Sequence, residues 1–259
     1  MYKYYTENEK EIYLAMLAEQ CERYKDMIEI LENLINIKKE EMNLDEKNLI
    51  SIAYKNYISE IRNSINIIIS YENKELLKEK SFYLDYIKEY KEKIIKELEI
   101  ECIKICNSIE NIIKPKLETK ELKVFFGKLK GDYYRYIAEN TEGEIKNKYS
   151  NLSLNTYKES LIEAENLNYK NSNKLGLLLN LSVFYYEVNY NFNEALNLAK
   201  DTLNKGKNAL NGVNEDNEEF KESISILNLI NDNIKQIIQH DISNAENISS
   251  ENESLESKF

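Results

Sequence analysis

Residues 175–187 read LGLLLNLSVFYYE, and residues 130–139, earlier in the chain, read KGDYYRYIAE. In the first stretch Asn180, Val183 and Glu187 recur at helical spacing, so an amide and a carboxylate interrupt an otherwise apolar face. An amide offers both a hydrogen-bond donor and an acceptor, which suits the backbone of an extended peptide. The stretch therefore predicts a helix whose polar residues either border a buried face or contact a bound peptide.

Basic residues also recur at helical spacing in two places. Lys55 and Arg62 are seven positions apart, which puts them on one face of a helix and about 10 Å from each other. Lys128 and Arg135 have the same spacing, and Gly131 between them has no side chain to cover that part of the face. Spacing alone favours solvated side chains on ordinary helices over an anion-binding site.

The rest of the chain has the same helical character. The chain has only six glycines and one proline among 259 residues, so it has too few of the residues that favour the tight turns of β-hairpins. A β-sandwich or barrel is therefore excluded. Asn43 or Asp45 is suited to cap a helix that ends at Glu72–Asn73, and Pro115 predicts a stop near 113–118. Polar gaps occur at 142–143, 168–173, 191–193 and 211–217. The pattern predicts an all-α fold of about nine antiparallel helices joined by short connections.

No long linker divides the chain, so we predict a single helical domain over residues 1–240. Residues 241–259 are rich in Ser, Asn and Glu and show no apolar period. Such a composition predicts a flexible acidic tail.

The formal net charge of −11 disfavours binding to nucleic acid or to anionic lipid. The most apolar run, 65–69, is too short to span a bilayer, and the first twenty residues lack the pattern of a signal peptide. We therefore predict neither nucleic acid nor membrane as a partner. The expected location is the cytoplasm, with the nucleus as a second compartment.

The residues that catalysis requires are scarce. The glycines form no phosphate-binding loop, and a single histidine, His240, cannot supply a di-iron site. Cys21, Cys102 and Cys106 lack the spacing of a metal site and are expected to be reduced thiols, buried or partly buried. We predict no enzyme activity, no metal and no cofactor.

Four stretches, taken in order, resemble the 14-3-3 family. They are 17–24 (LAEQCERY), 48–56 (NLISIAYKN), 130–139 and 175–187, and the resemblance runs from about residue 10 to residue 238. It implies a cup-shaped subunit of nine antiparallel helices with a concave amphipathic groove. It also implies a non-catalytic adaptor that binds phosphoserine or phosphothreonine segments of client proteins and acts as a dimeric scaffold in signalling.

The resemblance assigns roles to residues of the groove. Those that match the phosphate-binding residues of the family are Lys55, Arg62, Arg135 and Tyr136. Those that match its peptide-binding residues are Lys128, Leu179, Asn180, Val183, Glu187, Ile226, Leu229 and Asn233. Under this resemblance the basic residues bind a phosphate, which arginine meets with paired charge-assisted hydrogen bonds.

The resemblance also implies a homodimer, or a heterodimer with another family member. The residues that match the dimer interface of the family are Cys21, Arg23, Asp26, Ser64, Tyr90, Lys93 and Glu97. Ser64 falls at the regulatory serine of that interface, in a sequence context that differs from the family's.

Several residues depart from the family pattern. The chain has no tryptophan, and Ile237 stands where the family has one on its last helix. Gln236 replaces a leucine of the groove wall, and Asn66 replaces a basic residue one turn beyond Arg62. These departures predict altered client selectivity with an intact phosphate site.

The chain ends in Ser257-Lys258-Phe259, which resembles the C-terminal ligands of the family. Phosphorylated at Ser257, the tail would be able to occupy its own groove or a neighbour's. An alternative for the whole chain is a tetratricopeptide-like scaffold that binds peptides without phosphate. Residues 175–203 are similar to one such repeat, but no 34-residue repeat recurs elsewhere in the chain.

Overall fold

A computed structural model describes residues 7–38, 40–78, 81–212 and 218–256. Within that part of the chain there are nine α-helices and no strand, which confirms the predicted all-α fold. The helices are α1 (Glu7–Gln20), α2 (Tyr24–Ile37), α3 (Leu44–Leu76), α4 (Leu84–Ser108), α5 (Lys120–Glu139), α6 (Gly143–Glu163), α7 (Ser172–Glu187), α8 (Phe192–Leu210) and α9 (Glu218–Glu256). None of the helices in these ranges is both long enough and apolar enough to cross a membrane.

The helix ends follow from local chemistry. Asn43, one of the two predicted caps, accepts a hydrogen bond from the Glu46 backbone at 2.9 Å, and the Glu46 carboxylate accepts one from the Asn43 backbone at 3.0 Å. Helix α3 runs to Leu76, beyond the predicted end at Glu72–Asn73, because neither of those residues breaks a helix. After α4 the chain passes through a π-helical turn and a 3₁₀ turn that contains Pro115, as the proline predicts.

The chain divides into two compact units. The first unit comprises the described parts of residues 1–126 together with 136–149, and the second comprises 127–135 together with the described parts of 150–259. Helices α5 and α6 each contribute residues to both units. The single domain over 1–240 and the flexibility of 241–259 stay predictions, and the backbone of α9 is helical as far as Glu256.

In the first unit, one face of α3 is fully buried. Ile50, Ile58 and Ile65 are at most 1% exposed, and Tyr54 between them donates a hydrogen bond to the Glu32 carboxylate at 2.6 Å. The hydroxyl of Tyr54 also lies 3.0 Å from the Ser108 hydroxyl at the end of α4. This buried face fixes the rotation of α3 and so determines which of its residues remain accessible.

In the second unit, α7, α8 and α9 share one apolar core. Its buried members are Leu175, Ala199, Leu203, Leu210, Leu227, Ile230 and Ile234. Gly206 lets α8 approach α9 closely, since a Cβ at that position would lie 2.6 Å from a Leu227 methyl group. The core therefore holds α7 and α9 together.

The three cysteines do not share one environment. Cys102 and Cys106 are buried, and burial raises the pKa of the Cys102 thiol well above its usual value. Cys21 is exposed, so the prediction that it is buried or partly buried is wrong. The physical reason lies in α1, whose apolar residues Leu14 and Leu17 are themselves 44% and 48% exposed, so this chain leaves the face next to Cys21 uncovered.

Candidate functional site

Two of the predicted phosphate-binding residues lie together in the first unit. The Arg62 guanidinium carbon lies 3.8 Å from the centre of the Tyr136 ring, within the range of a cation–π interaction. The same guanidinium donates a hydrogen bond to the Glu139 carboxylate at 3.3 Å. Lys55 is exposed on α3, seven residues before Arg62. Arg62 is thus held in place between an aromatic ring and a carboxylate.

Arg135 is buried in the second unit, where its side chain is only 7% exposed. Its Nε donates a hydrogen bond to the Tyr157 hydroxyl at 3.3 Å. Its terminal nitrogens lie 3.7 Å from an Asp132 oxygen and 3.7 Å from a Glu187 oxygen. Carboxylates of α5 and α7 therefore both lie close to this guanidinium.

Asp132 organises the second unit's polar residues. Its carboxylate accepts hydrogen bonds from Tyr157 at 2.5 Å, from the Asn180 amide at 2.7 and 2.8 Å, and from the Lys128 ammonium at 3.1 Å. Burial acts to raise the pKa of Asp132, but Lys128, Arg135 and these hydrogen bonds outweigh it, so that pKa lies below its ordinary value. One buried carboxylate therefore gathers three predicted site residues.

Sequence reasoning missed Asp132, although a signal for it was present. Asp132 is four residues after Lys128 and three before Arg135, the spacings at which opposite charges pair on a helix. Nothing nearby in the sequence points to Tyr157, whose hydroxyl is fully buried and whose pKa is raised well above its usual value by burial and by Asp132.

A small pocket between α7 and α9 brings together three of the predicted peptide-binding residues. They are Val183, Glu187 and Asn233, and the Glu187 side chain is 48% exposed. Two of the departures from the family pattern, Gln236 and Ile237, line the same pocket. The remaining lining residues are Ser182 and Tyr186.

The predicted apolar wall is only partly exposed. Leu179 and Ile226 are half-buried against the core of the second unit, whereas Leu229 is 54% exposed. A Cβ at Gly176 would lie within 4.0 Å of both Lys128 and Ile226, so these two side chains flank the glycine on α7. The structure thus places Lys128 next to an apolar wall residue.

The residues predicted for a dimer interface fall into two sets. Arg23 and Asp26 form a two-bond ion pair with each other, at 2.5 and 3.0 Å, and Cys21 is exposed beside them. Four others line a pocket between α3 and α4, together with Tyr57, Glu60, Ile61 and Ile94. These four are Ser64, Tyr90, Lys93 and Glu97. The Ser64 hydroxyl donates a hydrogen bond to the Glu60 carbonyl at 3.0 Å.

Gly131 is where α5 and Tyr157 pack most closely. A Cβ at this position would lie 2.5 Å from a Tyr157 ring carbon, closer than real contacts allow. We expect Gly131→Ala to lower the free energy of unfolding by about 1–3 kcal/mol, as overpacking of a core does. Urea unfolding of this variant measures the loss. Gly143→Ala is not a suitable control because Gly143 has a positive φ, so the control is Gly176→Ala, whose Cβ has room; equal losses in both would contradict close packing as the cause.

Comparison with known proteins identifies the class. The family model described as 14-3-3 protein matches residues 14–237. Checkpoint signal transducer rad24 of Schizosaccharomyces pombe is 40% identical over 230 residues, which cover 88% of this chain and 84% of that protein. Protein BMH1 of Saccharomyces cerevisiae is 39% identical over 231 residues, covering 88% and 85%. 14-3-3 protein 8 of Solanum lycopersicum is 38% identical over 229 residues, covering 88% and 87%.

This chain belongs to the 14-3-3 family. Members of this family are non-enzymatic adaptors, and membership supports a role in binding phosphorylated segments of client proteins. The match spans most of the chain, so it does not support the alternative of a tetratricopeptide-like scaffold.

Proposed function

We propose that this protein binds phosphoserine- or phosphothreonine-containing segments and thereby acts as a dimeric, non-catalytic adaptor. One observation supports it most: the Arg135 guanidinium, on a side chain that is 7% exposed, lies 3.7 Å from the carboxylate of Glu187, which is 48% exposed and lines the pocket between α7 and α9. A guanidinium held beside an accessible pocket is suited to a phosphate group, which it meets with charge-assisted hydrogen bonds.

The phosphate is held by Lys55, Arg62, Arg135 and Tyr136. Arginine donates paired hydrogen bonds to phosphate oxygens, lysine adds a point charge, and the tyrosine hydroxyl adds a donor. The Arg62 guanidinium exchanges its 3.3 Å contact with Glu139 for the phosphate. Each charge-assisted hydrogen bond contributes about 1.5–3 kcal/mol.

The rest of the segment lies along α7 and α9. The nitrogen of the Asn180 amide is bonded to Asp132, so its oxygen is the atom that accepts a peptide N–H. Asn233 plays the same part on α9, and Lys128 and Glu187 contact side chains of the segment. Leu179, Val183, Ile226 and Leu229 supply the apolar wall. Because Gln236 and Ile237 line the pocket that holds Asn233, client selectivity differs from that of relatives with a leucine and a tryptophan at these two positions.

Fluorescence anisotropy with a labelled phosphoserine peptide and its unphosphorylated twin tests this function. We expect the phosphopeptide to bind more than about 100-fold more tightly, because two or more charge-assisted bonds depend on the phosphate. As the salt concentration rises, the affinity for the phosphopeptide should fall, whereas that for the unphosphorylated peptide should not. Equal binding of the two peptides would contradict the proposal, as would no binding of either.

The adaptor is also proposed to form a homodimer, or a heterodimer with another family member. Tyr13, Leu14, Met16 and Leu17 of α1 are 44–67% exposed, an apolar face that this chain leaves uncovered. In the dimer, Arg23 and Asp26 of one copy pair with Glu97 and Lys93 of the other, and Cys21, Ser64 and Tyr90 lie at the same interface.

Leu17→Glu is expected to convert the dimer to a monomer, because it places a charge in the proposed apolar interface. Size-exclusion chromatography with light scattering measures the mass, which should fall from twice that of one chain to that of one chain. The matched control is Ile162→Glu, since Ile162 on α6 is 72% exposed and lies outside the proposed interface. A monomeric wild type, or a dimeric Leu17→Glu, would rule out this interface.

Two further proposals rest on the sequence. Ser257 lies outside the described residues, and phosphorylation there would make the tail a ligand for its own groove or a neighbour's. The protein works in the cytoplasm, with the nucleus as a second compartment.

A further inference from the structure

Three aromatic rings from three helices meet at one corner of the second unit. Tyr186 lies at the end of α7, Phe192 begins α8, and His240 is on α9. The ring centres are 5.3 Å apart for Tyr186 and Phe192, 5.9 Å for Tyr186 and His240, and 5.6 Å for Phe192 and His240. These separations lie within the range of stabilising aromatic pairs, and two of the three pairs are edge-to-face. We call this cluster the aromatic corner.

The aromatic corner is continuous with the pocket between α7 and α9. His240 follows Ile237 by three residues and Asn233 by seven, so all three lie on one face of α9. Ile237 is only 4% exposed. Tyr186 belongs to both features, because it lines the pocket with Asn233 and Ile237 and its ring contacts His240.

His240 itself is exposed and is the only histidine in the chain. An exposed side chain adds little to a hydrophobic core. The contacts of His240 with the Tyr186 and Phe192 rings therefore serve mainly to fix the position of α9. They tie α9, one turn beyond its last pocket residue, to the junction of α7 and α8. The apolar core already holds α7 and α9 together, and these ring contacts add a fixed point on the C-terminal side of the pocket that contains Asn233.

We propose, on the basis of the function proposed above, that His240 is a positioning residue for peptide binding: its ring contacts with Tyr186 and Phe192 hold α9 so that Asn233 reaches the bound segment. The aromatic corner thereby affects the affinity for the segment although His240 does not contact it. This role needs an aromatic ring at position 240 and no particular charge.

The test compares wild type with His240→Ala, His240→Phe and the control Lys235→Ala, whose side chain is 66% exposed on the same helix. Hydrogen exchange of the α9 amides between 233 and 240 reports the tie directly. We expect exchange to rise about three- to tenfold in His240→Ala and to stay within about twofold of wild type in His240→Phe and in the control. Unchanged exchange in His240→Ala, or equal rises in the alanine and phenylalanine variants, would overturn the proposal.

Anisotropy with the phosphoserine peptide then asks whether the tie acts through Asn233. We expect His240→Ala to weaken binding about three- to tenfold, and His240→Phe to restore it. Adding His240→Ala to Asn233→Ala should cost less than about twofold more, because residues acting through one contact are not additive. Losses that multiply would overturn the link to Asn233. A wild type that binds no phosphopeptide would instead contradict the proposed function, and the exchange measurement would still decide whether His240 holds α9.

Discussion

Replacing Asp132 by alanine is expected to lower the free energy of unfolding by about 3–5 kcal/mol, the cost of breaking a buried ion pair by removing one partner. The variant leaves Arg135, with a side chain 7% exposed, and Lys128, 17% exposed, without their shared carboxylate. It also removes the acceptor of the Tyr157 and Asn180 hydrogen bonds. Urea unfolding followed by circular dichroism measures the change.

The matched control is Asp201→Ala. Asp201 pairs with Lys205 at 2.7 Å, but both side chains are about half exposed, so solvent screens this pair and its loss should cost much less stability than the loss of Asp132. Losses of similar size in the two variants would show that the carboxylate of Asp132 does not organise the second unit.

The same carboxylate predicts how stability depends on pH. Because the pKa of Asp132 is lower in the folded protein than its ordinary 3.8, the carboxylate stabilises the fold at pH values above 3.8. That contribution is lost as the pH falls below 3.8 and through the lower pKa of the folded state. Asp132→Asn keeps the shape of the side chain and removes its charge. Its free energy of unfolding should therefore fall less than that of wild type when the pH is lowered from 5 to below 3.8.

Replacing Arg135 by alanine is expected to weaken binding of a phosphoserine peptide by about tenfold to 150-fold, the loss of one charge-assisted contact of roughly 1.5–3 kcal/mol. Arg135→Lys should fall between alanine and wild type, because lysine keeps the charge and loses the paired geometry. Binding of the unphosphorylated peptide should not change. Isothermal titration calorimetry and anisotropy measure both peptides.

The control for Arg135 is Lys104→Ala, because Lys104 is a cation that is 62% exposed and lies outside both the proposed groove and the proposed dimer interface. Circular dichroism should show that Arg135→Ala stays folded, since Lys128, Tyr157 and Asn180 still contact Asp132. A folded Arg135→Ala with wild-type affinity would contradict the assignment of Arg135 to the phosphate.

Helical periodicity and the scarcity of glycine and proline are sufficient to predict about nine helices, and the described part of the chain has nine. The sequence predicts too early an end for α3, because Glu72 and Asn73 are both compatible with a helix and the local sequence carries no sign of where α3 stops. The exposure of Cys21 differs from the prediction for another reason. Apolar spacing predicts a face that avoids water, and it does not tell whether the chain itself or another molecule covers that face.

The residue types of the candidate site can be predicted from the sequence, but the burial of its side chains cannot. Spacing placed Lys128 and Arg135 on one face, and the family resemblance named the other groove residues. Spacing cannot predict that Arg135 is buried, because its burial depends on Tyr157 and Glu187, which are 22 and 52 positions away in the sequence. The role of Asp132 depends in the same way on Asn180, which is 48 positions away.

The contacts of Arg62 have a consequence for conformational entropy. A free arginine side chain loses up to about 2 kcal/mol of rotamer freedom when a ligand fixes it. Arg62 already rests on the Tyr136 ring at 3.8 Å and is bonded to Glu139, so much of that freedom is lost on folding and not on binding. Under the proposed function, a phosphorylated segment would meet a side chain that needs only to exchange one oxygen partner for another, so binding would cost less side-chain entropy.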